Sequence, residues 1–381
     1  MDTAIVIGAG PAGLAGAAQL RRAGVGAVVL EQGAAIAPQW RARYDRLRLN
    51  SPRWFSALPD GPAFPAGTGT FPTRDELVAY LDAYAAHHAL DIRFDTRVER
   101  LERAGDRWVV RTSDGELRAS HVVVAGGYEH RPFIPAWAGR TRFRGEVLHA
   151  AGYRSATPYR GRDMLVVGPG CSGAEMAFDL AEGGAQRVRL AVRTPPNILI
   201  REPIGAPLAV LFRALPPRIG DAVVRFVRRR KVGDLTEFGL PIPEEGVFTR
   251  LRRLGVAPMI VDLEVIEAIR AGRIEIVAAV ESFDETGVML ADGVRLEPDA
   301  VIAATGYRSG LEPLVGHLDV LDAHGVPVVT DGEALPGLRF IGYDPRPAQI
   351  RHGGKEAARA AKAIAQSVRR APRVSLRVVR A

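Results

Sequence analysis

Two glycine-rich turns predict an α/β protein with two Rossmann-like dinucleotide-binding domains, each a three-layer ββα unit, one inserted into the other. The first turn, Gly8-Ala9-Gly10-Pro11-Ala12-Gly13, follows the apolar run Ala4-Ile5-Val6-Ile7. The second, Gly168-Pro169-Gly170-Cys171-Ser172-Gly173, follows Met164-Leu165-Val166-Val167. Both open onto Ala-rich helical stretches. In such turns the first glycine permits the tight bend and the second lets the backbone approach a pyrophosphate. The third lets helix and strand pack closely, and the helix N-terminus faces the anion. One loop alone is a weak signal. Two, each in strand-turn-helix context, mean that one polypeptide holds two dinucleotides, and the simplest protein that does so is a redox enzyme.

The elements run in order along the chain. Ala4–Gly8, Ala12–Ala23 and Ala27–Leu30 read as strand, helix and strand, ending on Glu31. A loop rich in Trp, Arg and Pro spans 38–72. An amphipathic helix from Thr73 to about His88 comes next, with Thr73 as N-cap and Glu76 at the capping-box position. Strand runs at Arg97–Leu101, Arg107–Thr112 and Leu117–Ala125, with turns at Ala104-Gly105-Asp106 and Ser113-Asp114-Gly115, form a meander. From Asp163 the pattern repeats: Met164–Gly168, Ser172–Glu182, Arg187–Arg193. A helical region, Gly205–Lys231, interrupts a second meander that closes at Asp299–Ala304. A last helix runs from about Gly354 to Arg370, beginning just after Gly353-Gly354. The outer domain therefore comprises 1–145 and 297–381, and the inner one 150–296.

Composition narrows the function. The 381 residues are 47% hydrophobic and 25% charged, as in ordinary globular proteins. The net charge of +8 raises nucleic acid or an anionic surface as partners. Yet only Lys231, Lys355 and Lys362 among the 51 basic residues are lysines. Arginine is spread everywhere, so no nucleic-acid partner is expected. Cys171 stands alone, which excludes an intramolecular disulfide, a cysteine-built metal site and dithiol redox chemistry, and fits a cytoplasmic setting. The first strand begins almost at once after Met1, so no signal or transit peptide is expected. No apolar run approaches the ~20 residues of a membrane span; Ala206–Leu215 is short and contains Arg213. The region Gly205–Lys231, with its run Arg225–Lys231, reads as an amphipathic lid or surface helix with solvated arginines; contact with membrane lipids is the competing reading.

The two loops differ in the residues that close their βαβ units. Glu31 lies 18 residues beyond Gly13, at the end of its unit, where a carboxylate accepts hydrogen bonds from both ribose hydroxyls. FAD is the expected occupant. The second unit ends on Ala191-Val192-Arg193-Thr194 without a carboxylate, and Arg193 stands where a 2′-phosphate would sit, which favours NADPH over NADH.

Between the loops, Phe143, Gly145, His149 and Tyr153 are spaced F-x-G-x-x-x-H-x-x-x-Y. Spacing alone leaves His149 as a buried, hydrogen-bonded residue. The segment resembles the signature of class B flavin monooxygenases, and Tyr153 points to their flavin-containing monooxygenase side. Asp299–Tyr307, ending Ala304-Thr305-Gly306-Tyr307, resembles the family's second signature. Tyr44–Leu49, Phe71-Pro72-Thr73, Tyr80-Leu81, Tyr84-Ala85, Val232-Gly233-Asp234, Gly239-Leu240 and Ala304–Ser309 resemble the YUCCA branch and its bacterial relatives. The likeness runs over nearly the whole chain.

That resemblance implies an FAD- and NADPH-dependent monooxygenase that uses a C4a-(hydro)peroxyflavin to oxygenate a small organic substrate. Its partners would be that substrate and O₂, with no nucleic acid, no transmembrane segment and a homodimer left open. Oxidative decarboxylation of an aryl-pyruvate leads. N- or S-oxygenation of a small nucleophile, and a non-oxygenating NADPH oxidase or redox-sensing flavoprotein, are the alternatives. Gln39 and Trp40 resemble the segment beside the FAD phosphates and adenine, and Gly353-Gly354 would aim N–H groups at the flavin pyrimidine carbonyl. Two departures stand out. Gly126 replaces the Thr of an A-T-G turn. Asn50 matches the asparagine near the flavin C4a edge of heteroatom-oxygenating members, which YUCCA-like chains usually lack, and it is the candidate catalytic residue.

Overall fold

The computed structural model describes residues 3–202, 208, 211–212, 215–254, 259–344, 346 and 348–370. Two five-stranded parallel sheets organise the chain. In the first, Thr3–Ile7 is central. Gly26–Leu30 and then Asp91–Arg93 lie on one side, Val122–Val124 and then Leu338–Phe340 on the other. In the second, Asp163–Val167 is central, flanked by Arg187–Ala191 with Glu275–Val277 and by Ala300–Ala303 with Glu146–His149. In each sheet the strand that feeds the glycine turn thus has a parallel neighbour on both sides. Ligands of open α/β sheets bind at such positions, outside the C-terminal strand ends.

Both faces of the sheets are covered, so inner strands such as Val122–Val124 and Ala300–Ala303 are apolar and buried along their length rather than alternating. Behind the first sheet the helices Pro11–Arg22, Arg74–His87 and Gln349–Arg370 share a core built on Leu14, Leu77, Tyr80, Ala361 and Ile364. Its other face carries the antiparallel meander Val98–Ala119, centred on the fully buried Trp108. The second sheet repeats this arrangement with Cys171–Glu182 and Leu263–Arg270 on one side and the meander Val280–Leu296 on the other. Thr73 caps its helix as expected: its side chain accepts from Glu76 N–H at 3.2 Å, and Glu76 accepts from Thr73 N–H at 2.7 Å.

Four expectations change. The run Leu117–Ala125 is two strands: Gly115–Ala119 closes the meander, and after Ser120-His121 the chain joins the first sheet as Val122–Val124. Ala300–Ala303, expected in the outer domain, pairs in the second sheet, because the chain returns from the meander parallel to Asp163–Val167. Of Gly205–Lys231, residues 205–207, 209–210 and 213–214 lie outside the described residues, and the helix observed is Pro217–Lys231. The last helix starts at Gln349, so Gly353 and Gly354 lie inside it. They serve packing: a Cβ on Gly353 would sit 3.4 Å from the Ala12 Cβ, and one on Gly354 would sit 2.6 Å from Pro59.

The two connections between the sheets also pair. Arg131–Pro132 and Tyr307–Arg308 form a short antiparallel ribbon, and Phe133 N–H donates to the Gly306 carbonyl at 3.0 Å.

Candidate functional site

Both glycine turns meet the steric demands of a pyrophosphate cradle. Gly8 and Gly168 have φ of +102° and +111°, a region costly for any residue with a Cβ. A Cβ on Gly13 would collide with the Gly8 carbonyl, and one on Gly173 with the Gly168 carbonyl, so both helices approach their strands as only glycine allows. At Gly10 and Gly170 a Cβ would meet nothing within 4 Å. Each middle glycine faces open space, which is the room a phosphate needs above helix N-termini at Pro11 and Cys171.

Glu31 is buried, 4% exposed, at the end of its strand. Its Oε2 accepts from Ala9 N–H at 2.7 Å and its Oε1 from Gly33 N–H at 2.9 Å. The carboxylate thereby ties the first glycine turn to the following loop, and each oxygen keeps lone pairs for a ribose hydroxyl. Gln39 and Trp40 lie on a single helical turn, Pro38–Arg41, anchored to the same loop by Ala37 N–H donating to the Ala9 carbonyl at 3.1 Å. Gly126 lies beside this turn, and a Cβ there would stand 3.2 Å from the buried Tyr343 hydroxyl. That crowding gives the glycine a physical reason. Arg193 is exposed just beyond Ala191 and makes no ion pair among the described residues, so its guanidinium is available to an anion.

The two signature segments join each other. His149 Nδ1 accepts from Ala151 N–H at 3.0 Å, so the ring's proton belongs on Nε2, which reaches the Gly306 carbonyl at 2.9 Å. Burial lowers the His149 pKa and favours this neutral form. Its ring meets Tyr307 edge-on at 4.8 Å; the Tyr307 hydroxyl accepts from Arg43 at 2.7 Å, and Arg43 pairs with Glu129. Thr305 donates to the Phe133 carbonyl at 2.5 Å. Phe143 packs on Phe283, and a Cβ on Gly145 would strike the Phe143 ring. Tyr153 is buried and donates to Asp179 at 2.6 Å. The bonds of His149, Arg43 and Thr305 tie the two connections between the sheets, whereas Phe143 packs in the core of the second-sheet domain.

Asn50 reaches across to the second glycine turn. Its Nδ2 lies 3.5 Å from Cys171 Sγ, and its Oδ1 accepts from Arg201 at 3.0 Å. Arg201 also pairs with Glu175 at 2.8 Å and Asp262 at 2.7 Å, and Glu175 accepts from the Tyr44 hydroxyl at 2.7 Å. Burial pushes the Glu175 pKa up to about 7, with Arg201 opposing, and pushes Cys171 up to about 12. The thiol is therefore protonated near neutral pH and is no nucleophile. Sequence reading missed Tyr44, Glu175, Arg201 and Asp262 as a cluster. The available signal was Glu175, an acid inside the otherwise apolar stretch Ala174–Phe178.

Residues 5–199 match the model of the pyridine nucleotide-disulphide oxidoreductase family. The chain is 36% identical over 355 residues to indole-3-pyruvate monooxygenase YUCCA1 of Oryza sativa subsp. japonica, covering 90% of this chain and 87% of that one. It is 34% identical to the probable indole-3-pyruvate monooxygenase YUCCA3 of Arabidopsis thaliana, covering 85% and 77%. Among solved structures, the flavin-containing monooxygenase of Stenotrophomonas maltophilia aligns with a TM-score of 0.73 at 26% identity, covering 97% of this chain and all of that one. OTEMO in complex with FAD and NADP aligns with a TM-score of 0.74 at 18% identity, covering 97% and 84%, a likeness of fold.

Proposed function

The chain belongs to the pyridine nucleotide-disulphide oxidoreductase family and to the YUCCA-like branch of the flavin-containing monooxygenases, and from that premise we propose that it converts an aryl-pyruvate into the corresponding arylacetate. It is an FAD- and NADPH-dependent flavin monooxygenase. The observation that carries the substrate class is the likeness over 355 residues to an enzyme named for indole-3-pyruvate. In the overall reaction a 2-oxo acid, O₂, NADPH and a proton give the shortened acid, CO₂, water and NADP⁺. The bond between carboxylate and carbonyl carbon breaks, one oxygen atom enters the new carboxyl, and the other leaves as water. Bound FAD, reduced by NADPH, supplies the oxygen-activating chemistry.

The chain's own residues do the rest. In our reading the first-sheet domain holds FAD. Gly8, Gly10, Ala12 and Gly13 cradle its pyrophosphate, Glu31 receives the adenosine ribose, and Gln39 and Trp40 lie beside the phosphates. Gly353 lets the C-terminal helix close against Ala12 of that turn, and Gly354 lets it pass Pro59. The second-sheet domain holds NADPH on Gly168, Gly170, Ser172 and Gly173, with Arg193 at the 2′-phosphate. Thr305, Gly306 and Tyr307 brace the passage between the two domains. Asn50 is assigned to the reacting edge, where Arg201 fixes its amide. Because Arg201 and Cys171 already engage both ends of Asn50, heteroatom oxygenation gains no separate support. A cytoplasmic setting accords with the lone cysteine.

Indole-3-pyruvate or phenylpyruvate, supplied with NADPH in air, tests the reading. One CO₂ should be released per NADPH oxidised. NADPH consumption matched by hydrogen peroxide, with the 2-oxo acid intact, would overturn it.

A further inference from the structure

The helix Pro217–Lys231 is amphipathic. Its inner face is pinned to the protein: Val224 packs with Val247 and Phe248, and buried Asp221 accepts from Phe248 N–H at 2.8 Å and Thr249 N–H at 3.2 Å. A Cβ on Gly220 would stand 2.6 Å from the Phe248 ring, so the helix seats closely there. Its outer face carries a row of apolar side chains. Ile219, Val223, Phe226 and Val227, at i, i+4, i+7 and i+8, are 47%, 38%, 59% and 39% exposed. That spacing makes one continuous stripe, unlike the single apolar residues scattered over ordinary surfaces.

Basic side chains rim the stripe. Arg218, Arg225, Arg229 and Arg230 are exposed and make no ion pair among the described residues, and the Arg230 guanidinium lies over the Phe226 ring at 5.2 Å. The only acid on the helix is the buried Asp221. The neighbouring helix Val247–Leu254 ends on exposed Arg252, Arg253 and Leu254.

We propose that this face docks on an anionic lipid bilayer, with the apolar stripe entering the headgroup boundary and the arginines meeting lipid phosphates. Charge complementarity selects this occupant. A second copy of the chain would oppose arginines to arginines, and the C-terminal segment 371–381 carries three arginines and no acidic side chain. Ile219 and Phe226 face solvent most fully, whereas Val223 and Val227 also border an apolar pocket with Ile198, Ile200 and Phe212. No helix among the described residues is long and apolar enough to cross a membrane, so the contact is interfacial.

Flotation of the full-length, FAD-loaded protein with vesicles tests the proposal. Vesicles of phosphatidylcholine with about a third phosphatidylglycerol should carry the protein at low salt, with binding about tenfold weaker on pure phosphatidylcholine and weaker again in high salt. Phe226→Glu and, as a milder change, Phe226→Ser should abolish flotation while FAD content and circular dichroism stay unchanged. No flotation with the anionic vesicles, equal flotation with neutral ones, or full flotation of both variants would overturn it. So would a sedimentation-velocity dimer that Phe226→Glu dissolves in a protein indifferent to vesicles.

Discussion

Glu31→Gln tests the assignment of the first nucleotide site. The buried carboxylate receives two backbone N–H groups, from Ala9 at 2.7 Å and Gly33 at 2.9 Å. A glutamine has one carbonyl oxygen, so it satisfies one of these donors and turns an NH₂ group toward the other. Removing a hydrogen bond to a charged group costs roughly 1.5–3 kcal/mol, and a buried unpaired donor costs about 1–3 kcal/mol more. The free protein is therefore destabilised whether or not Glu31 touches a ligand. The ligand contribution is separable. If the ribose donates to this carboxylate, its loss costs a further ~2 kcal/mol, a factor of about 30 in the FAD dissociation constant. Titrating apoprotein with FAD and following flavin fluorescence measures that constant, and the thermal midpoint of the apoprotein measures the first effect. Glu31→Asp keeps the charge with a shorter reach and should fall between. A folded Glu31→Gln apoprotein whose FAD dissociation constant stays within threefold would show that Glu31 staples the loop and does not hold the ribose.

Arg193→Ala should raise KM for NADPH by roughly 5–30-fold and leave KM for NADH unchanged. The range is that of an exposed, partly screened guanidinium–phosphate contact; equal effects on both nucleotides in steady-state kinetics would refute it. Glu175, held at about 7 by burial against an ordinary 4.5, binds its proton more tightly in the folded than in the unfolded chain. Its contribution to stability is therefore complete below about pH 4.5 and is lost as pH rises to about 7, a fall of about 3 kcal/mol. Urea midpoints measured from pH 5 to 8 should lose this slope in Glu175→Gln, and identical slopes would contradict the assignment. Asn50→Ala should lower product formation by about 10²-fold while NADPH oxidation continues; parallel loss of both would make Asn50 structural.

Much of the fold was legible because its signals are local. Gly8 and Gly168 announce turns that need positive φ, and Thr73 with Glu76 announces a helix start within four residues. What escaped depends on distant partners. Nothing in Leu117–Ala125 tells that Ala119 pairs with Trp108 whereas Val122 pairs with Ile5 and Leu338. Gly353 and Gly354 read as a helix boundary, since glycine weakens a helix interior. They are instead the places where Ala12 and Pro59 press against the helix. His149 kept both readings: it is a buried, hydrogen-bonded histidine, and that bond, to Gly306, joins the family's two signatures across 157 residues. The Tyr44–Glu175–Arg201–Asp262 cluster assembles from four separate stretches of sequence, and no periodicity marks it.

Oxygen transfer from O₂ to the substrate is tested most directly by isotope. With ¹⁸O₂, NADPH and phenylpyruvate, mass spectrometry of the phenylacetate should show one ¹⁸O atom in its carboxyl group, at close to one product per NADPH. Unlabelled phenylacetate, or label recovered only in hydrogen peroxide, would contradict the assignment of a monooxygenase acting on an aryl-pyruvate.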